Sequence, residues 1–358
     1  MKYRLNKFFA RASYSSDTTE IIPINIKDPI SQIIIKLEGL NVGSVPTAHI
    51  VALIPKIEIV DGSDVLFSLN GYELEALDWY HNHGQLRHGY NYLLTGGYPT
   101  RMLAINFGRY LWDKEYVFDP TRFKNPQLRI TLDIAAGGCA CTPVYITCFA
   151  NIFEDAVLSL RGFMMVKQLK QHAVASGTHY YTDLPLDYPY RALYYRVYAA
   201  SLEASWLLSN LKISEDQDKR IPIDNTGEEI LDLLQQEYPP VEEELFIASA
   251  VAGRTIYITP CQHVSVRGTT WSTTPQANNL ASQDGEGGNL TTYQLADGLN
   301  QQIEVKGWIP HGVFEIPFGL KDDPADWYDV RGIGSLRADM TGGNTGNATI
   351  FIQQVRGY

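Results

Sequence analysis

Three histidines stand within eight residues, His81, His83 and His88 in WYHNHGQLRH. Imidazole nitrogens at close spacing can bind a transition metal. A zinc site, however, draws on cysteine or carboxylate partners at set intervals, and none stands beside them. The stretch reads as a polar loop leaving a helix. Cys139 and Cys141 are separated by one residue, where a redox dithiol needs two. With Cys148 and Cys261 they read as small apolar side chains. Glu315, Asp322, Asp323 and Asp326 crowd around KDDPADWYD, residues 321–329. Paired carboxylates beside an aromatic ring can flank a glycosidic bond, and acid runs such as VEEE at 241–244 can hold Ca²⁺. No stricter signature accompanies either set, and there is no Walker loop, no GxGxxG and no GxSxG elbow. The expectation is a protein that is not an enzyme and uses no cofactor or metal.

The N-terminus offers a different chemistry. Lys2, Arg4, Lys7 and Arg11 interleave with Leu5, Phe8 and Phe9, and no acid occurs before Asp17. The whole chain carries 29 basic against 40 acidic residues, a net charge of −11. A general nucleic-acid binder needs clustered positive charge, so the body is not one. The basic tip suits an anionic surface such as lipid headgroups. Residues 1–19 are therefore read as a basic arm, and deleting residues 1–13 is expected to leave a folded protein with weakened vesicle association.

The elements that position these groups are mostly strands. Short runs rich in Ile, Val, Tyr, Phe and Thr alternate with Gly, Pro, Asn and Asp, as strands and their turns do. The runs include 21–26, 32–37, 102–107, 128–134, 144–153, 193–199, 255–259, 264–267, 302–305, 313–316 and 348–355. Two helices interrupt them, NGYELEALDWYH at 70–81 and TGEEILDLLQQEY at 226–238. Each opens with a capping residue, Asn70 or Thr226, then Gly, with Glu73 or Glu229 three positions on. No stretch approaches the apolar length of a membrane span, and no secretory signal opens the chain, so use without export by that route is expected.

The helices lie 156 residues apart, and other segments echo each other in the same order. The strand after Pro29 matches the one after Pro189 at an offset of 160; PTRMLAINFG, 99–108, matches PHGVFEIPFG, 310–319, at 211. Leu128-Arg129 matches Leu336-Arg337 at 208, and 144–149 matches 348–353 at 204. Ordered matches with drifting offsets mark an internal repeat. The jump between helix and strand offsets calls for an insertion in the second copy. Its expected seat is residues 268–302, a Ser-, Thr-, Asn-, Gln- and Gly-rich stretch read as a long outward surface loop. Twenty-two tyrosines, several beside arginine as in YPYRALYYRVY, suit interfaces as well as strands.

DGSDVLFSLNGYELEALDWYH, INFGRYLWDKEYVFDPTRFKNPQLRITLDI and VYITCFANIF, with their second-half echoes, make the chain resemble the double jelly-roll major capsid proteins of tailless icosahedral viruses. Tectivirus-like and corticovirus-like bacteriophages, many with an internal membrane, are nearest in size. The resemblance implies an all-β fold of two tandem eight-stranded jelly-roll sandwiches, each with a short helix between strands. It divides the chain into the arm (1–19), a first jelly roll (20–160) and a second (161–358). It further implies a homotrimer forming a pseudo-hexameric capsomer in a virion shell, made in the host cytoplasm. Neighbouring capsomers, penton and other minor capsid proteins would be its partners, with the arm facing an internal lipid membrane or the genome. The rivals are a glycan hydrolase resembling peptide N-glycosidases, which would use Glu315, Asp322, Asp323 and Asp326, and a carbohydrate-binding adhesin.

Overall fold

The computed structural model describes residues 2–42, 48–136, 141–248, 254–270, 280–283, 286–294 and 300–358. Cys139 lies outside them. The first half runs β1 (Tyr3–Tyr14), β2 (Thr18–Pro23), β3 (Ile30–Asn41), β4 (Lys56–Asp61), β5 (Asp64–Leu69), α1 (Gly71–His81), β6 (Tyr90–Tyr92), β7 (Thr100–Asn106), β8 (Pro126–Leu132) and β9 (Cys141–Phe153). Its strands form two facing sets of four, β1-β9-β3-β7 and β2-β8-β4-β5. Inward residues such as Ile33, Ile35, Ile57, Ile59, Leu128 and Ile130 are wholly buried between them.

The second half repeats the arrangement. It runs β10 (Gly162–Val174), β11 (His179–Asp183), β12 (Tyr190–Tyr198), a one-turn helix α2 (Ala204–Leu207), β13 (Leu208–Glu215), β14 (Arg220–Asn225) and α3 (Gly227–Glu237). An insertion follows, and the half closes with β21 (Val313–Pro317), β22 (Leu336–Gly342) and β23 (Gly346–Gly357). The strand orders are β10-β23-β12-β21 and β11-β22-β13-β14, each the counterpart of a set in the first half. The chain is all-β apart from its short helices, two eight-stranded sandwiches written in tandem. A short parallel pairing of β5 with β10 joins them, with Val166 opposite Phe67 and Lys167 opposite Ser68.

Both capping boxes form. Asn70 and Thr226 each accept from the backbone N–H three residues on, and Glu73 and Glu229 reach back to the cap N–H. The glycine after each cap has a reason in packing. A Cβ on Gly71 would lie 2.2 Å from the Val51 carbonyl oxygen, and one on Gly227 would lie 2.4 Å from that of Leu208. The helix start is pressed against a carbonyl at the same place in both halves.

The ladders refine the repeat. Ile33 pairs with Ile105 and Leu193 with Ile316, in keeping with offsets of 160 and 211. Ile33 also pairs with Ala150 and Leu193 with Ile352, which sets β9 and β23 at 202 and not at 204. A two-residue slip keeps every side chain on the same face, so the hydrophobic pattern is blind to it.

Two expectations change. Within the basic arm read over residues 1–19, Tyr3–Tyr14 is a sheet strand, paired from Tyr3↔Phe153 to Tyr14↔Val144. Its alternation of basic and apolar residues is the period of an edge strand. Register breaks between Lys7 and Phe9 and between Phe9 and Ala12 turn both Phe8 and Phe9 onto the core. Deleting residues 2–13 is accordingly expected to uncover the β9 edge and remove packing worth about 2 kcal/mol from the two phenylalanines alone. A thermal melt of the truncated chain should show a lower midpoint and aggregation; an unchanged melt would contradict the strand assignment.

The second change concerns the insertion. The connection 82–99 of the first half becomes 238–312 in the second, and the added chain is not one loop. It holds β15 (Val241–Ala248), β16 (Arg254–Tyr257), β17 (Pro260–Thr270), β18 (Leu280–Gln283), β19 (Asn289–Gln294) and β20 (Asn300–Pro310). They form sheets β17-β20-β15-β6 and β16-β19-β18, so the first half lends β6 to the second half's insertion. Within 268–302, residues 271–279, 284–285 and 295–299 lie outside the described residues.

Candidate functional site

A group of buried charges meets between the first sandwich and the sheet inserted in the second half. α1 is buried along most of its length, including the acids Glu73, Glu75 and Asp78. Glu75 points at Arg101 of β7, whose Nε lies 2.9 Å from Glu75 Oε1 and which is 0% exposed. The same guanidinium binds Glu243 of β15 and donates to the carbonyls of His88 (2.8 Å) and Tyr90 (3.2 Å). His311, just before β21, lies 2.7 Å from Glu75 Oε2. Thr259 N–H donates to Glu243 at 2.9 Å, and His49 Nε2 sits 3.2 Å from Arg101 Nη2. One arginine thus ties the first sandwich to the inserted sheet.

The electrostatics follow from burial and pairing. Burial pushes the Glu75 carboxyl up, but Arg101 and the His311 hydrogen bond outweigh it and leave it at about 2. Glu243 is likewise held well below the usual carboxylate range despite its burial, by Arg101 and His49. Burial lowers His311 to about 4, with Glu75 opposing the fall. His49, Glu75 and His311 offer ligand atoms within 4.8 Å of one another. Each already faces a partner, and Arg101 supplies the cation beside them, so the cluster is an ion network closing the junction. Sequence reading met Glu243 only as part of the VEEE run and passed over His49, Glu75, Arg101 and His311. The available signal was a polar residue inside an apolar run, as in TAHIVALI and TRMLAI.

The three loop histidines do not converge into such a cluster among the described residues. His81 and His83 line a cavity of about 650 Å³ with Tyr80, Arg191, Tyr238, Glu315 and Lys321, and His88 lends its carbonyl to Arg101. Asp322 and Asp323 border that cavity as well. Glu315 is already engaged there, accepting from Tyr194 (2.8 Å), Tyr238 (2.7 Å) and Lys321 (2.6 Å). Asp326 accepts from Leu320 N–H at 2.8 Å. A carboxylate held by two phenols and an ammonium is a structural anchor. Cys141, Cys148 and Cys261 are buried, and burial pushes the Cys261 thiol up to about 12.

The basic residues of β1 are largely answered by the protein itself. Arg4 lies 3.2 Å from Glu154 and 4.0 Å from Asp28. Arg11 pairs with Glu38 at 3.1 Å and stacks 3.4 Å over the Tyr145 ring. Lys7 stands 5.8 Å from the Phe149 ring, and Lys2, Leu5 and Lys7 are exposed.

No family model matches the chain, and no curated protein matches it by sequence. Solved structures do match, along almost the full length. The major capsid protein of Sulfolobus turreted icosahedral virus aligns over 99% of this chain and 97% of its own, with a TM-score of 0.60 at 13% identity. The major capsid protein of bacteriophage PM2 aligns over 99% and 98%, with a TM-score of 0.58 at 10% identity. The capsid of virus PBCV-1 aligns over 99% and 92%, at 0.57 and 10%. The fold is the double jelly roll of viral capsid proteins. Identities this low carry the fold and no more. Within that double jelly roll, the Arg101 network and the β5–β10 pairing are among the contacts that join the two halves of this chain.

Proposed function

We propose that this chain is a major capsid protein, a structural subunit that trimerises into a pseudo-hexameric capsomer and tiles an icosahedral shell. The observation that carries the reading is the pair of sandwiches with the same strand order, joined edge to edge, in a chain that aligns end to end with capsid subunits. Three such chains place six similar blocks around a threefold axis, and near-hexagonal tiles cover a surface. Further support for a structural and non-catalytic role is the engagement of Glu315 by Tyr194, Tyr238 and Lys321. In the same reading the inserted sheets face outward. The exposed Lys2 and Lys7, beside Arg4, Phe8, Phe9 and Arg11, lie toward the interior, where an anionic membrane or genome would meet them. The virion is its place of work, and neighbouring capsomers, penton and minor capsid proteins are its partners.

Light scattering on the purified chain, whose mass is 40.2 kDa, should give three copies per particle in solution, and negative-stain images should show hexagonal outlines. A monomer that cleaves glycans would overturn the reading in favour of the hydrolase.

A further inference from the structure

The inserted sheet β17-β20-β15-β6 has an outer face that a jelly roll does not require, since the first sandwich closes without β15 to β20. Pairing sets the residues of that face in rows, because partners directly opposite each other project to the same side of a sheet. One row runs Tyr90, Glu244, Glu304 and Arg267; the next runs Tyr92, Phe246 and Gln302. The residues between the rows, Asn91, Leu245 and Ile303, point inward and are buried. We propose that this face binds a neutral oligosaccharide, laid across the two tyrosine rings and held at its hydroxyls by the carboxylates, amide and guanidinium beside them. The inference rests on the capsid reading only for placing the face on the outside of a shell.

The rings supply the platform. Tyr90 is 53% exposed and Tyr92 is 46% exposed, both on the strand at the edge of the sheet. Phe246 stacks flat on Tyr92, with centroids 4.5 Å apart and planes 7° apart, so the ring is held from one side while much of it stays in solvent. Two residues along a strand make a step of about 6.6 Å, which sets the two rings side by side on a rigid element. The face of an aromatic ring carries partial negative charge and attracts the C–H groups of a sugar. Single exposed tyrosines are ordinary, but two on one face beside a cavity make a binding surface.

The cavity supplies the polar partners. It measures about 590 Å³, and Tyr90, Glu242, Glu244, Arg267, Gln302 and Glu304 line it. Carboxylate and amide oxygens accept from sugar hydroxyls, while the Arg267 guanidinium and the Gln302 amide donate to them. The charges there largely cancel. Lys306 lies 2.9 Å from Glu242 and 3.0 Å from Glu304, Arg267 stands opposite Glu304, and Gln302 donates to Glu244. Glu243, which also borders the cavity, is answered by Arg101. The acids repel a nucleic acid or an anionic lipid, and the lysine and arginine leave little net charge for a basic peptide. A ligand rich in hydroxyls and free of charge fits what remains.

Calorimetric titration of the intact chain with maltohexaose, cellohexaose and chitohexaose tests the site, with heparin and polylysine as charged probes. At least one of the neutral oligosaccharides should bind, and neither charged polymer should displace it. Tyr90→Ala and Tyr92→Ala should each weaken that binding by about tenfold, the loss of one ring contact. Tyr90→Phe keeps the ring and should stay within about threefold of the original. Both tyrosines are exposed, so the variants should melt as the original does. Failure of all three oligosaccharides to bind, binding indifferent to both alanine variants, or displacement by polylysine overturns the site. A trimer that binds none of them leaves the capsid reading standing. A monomer that binds one through these tyrosines overturns that reading and not this site.

Discussion

Arg101→Met should destabilise the folded protein by about 3–5 kcal/mol, the largest loss expected from a single side chain here. The methionine fills most of the volume, so the cost is electrostatic. Arg101 is 0% exposed and joins Glu75, Glu243 and the carbonyls of His88 and Tyr90. Without it two buried carboxylates share no strong cation, and each must take up a proton or draw in water. Both carboxyls sit below their ordinary range because of Arg101, which shows how much of their ionised state depends on it. A second replacement, Glu243→Gln, removes one orphaned charge and should restore part of the loss, as expected of groups acting together. Denaturant titrations of the four forms measure both effects. A single variant within about 1 kcal/mol of the original would show that the network is ornamental to stability.

Gly227→Ala and Gly71→Ala carry the second largest expectation, and its sign is opposite to the usual one. At an ordinary helix position, alanine stabilises by about 1 kcal/mol over glycine. Here the added methyl would meet a backbone carbonyl oxygen at 2.4 Å beside Gly227 and at 2.2 Å beside Gly71. Neither carbonyl belongs to a flexible side chain that can swing aside, so the helix must shift from its seat. Overpacking of this kind costs about 1–3 kcal/mol. Matched thermal melts should place both variants below the original, and a rise in either midpoint would refute the close approach. Gly71 should be the more sensitive, since α1 is buried along most of its length whereas α3 leaves Leu233 in solvent.

Much of the architecture was legible because its signals are local. Strand alternation, the capping boxes at Asn70 and Thr226 and the ordered echoes between halves each depend on a few neighbouring residues. Where the reading slipped, the missing information was relational. Basic and apolar residues alternating in KYRLNKFFAR suit an arm on a membrane as well as an edge strand. Only the ladder with β9, and the place of β10 in the other half, decides between them. The insertion was inferred from the change of offset but placed too narrowly, because the strands β15 and β16 before residue 268 look like any other apolar run. The offset of 204 in place of 202 has a simple cause: side chains repeat every two residues along a strand, so either register puts the same face inward.

The candidate site was less legible than the fold. Glu315, Asp322 and Asp323 do share a cavity, but sequence cannot say that Glu315 already has three partners. Nor could it pair Arg101 with Glu243, which stand 142 residues apart.

By itself, the sequence determined that this is a strand-rich protein built twice, with matching helix starts and an addition in the second copy. Those properties follow from short-range sterics, hydrogen bonding and hydrophobic period. Tertiary structure alone decided which strand ends stay open, which buried charges meet and that the basic N-terminal segment is an edge strand. These depend on contacts between residues far apart in the chain, and the distance between such residues is written in the packing of the whole and not in any stretch of it.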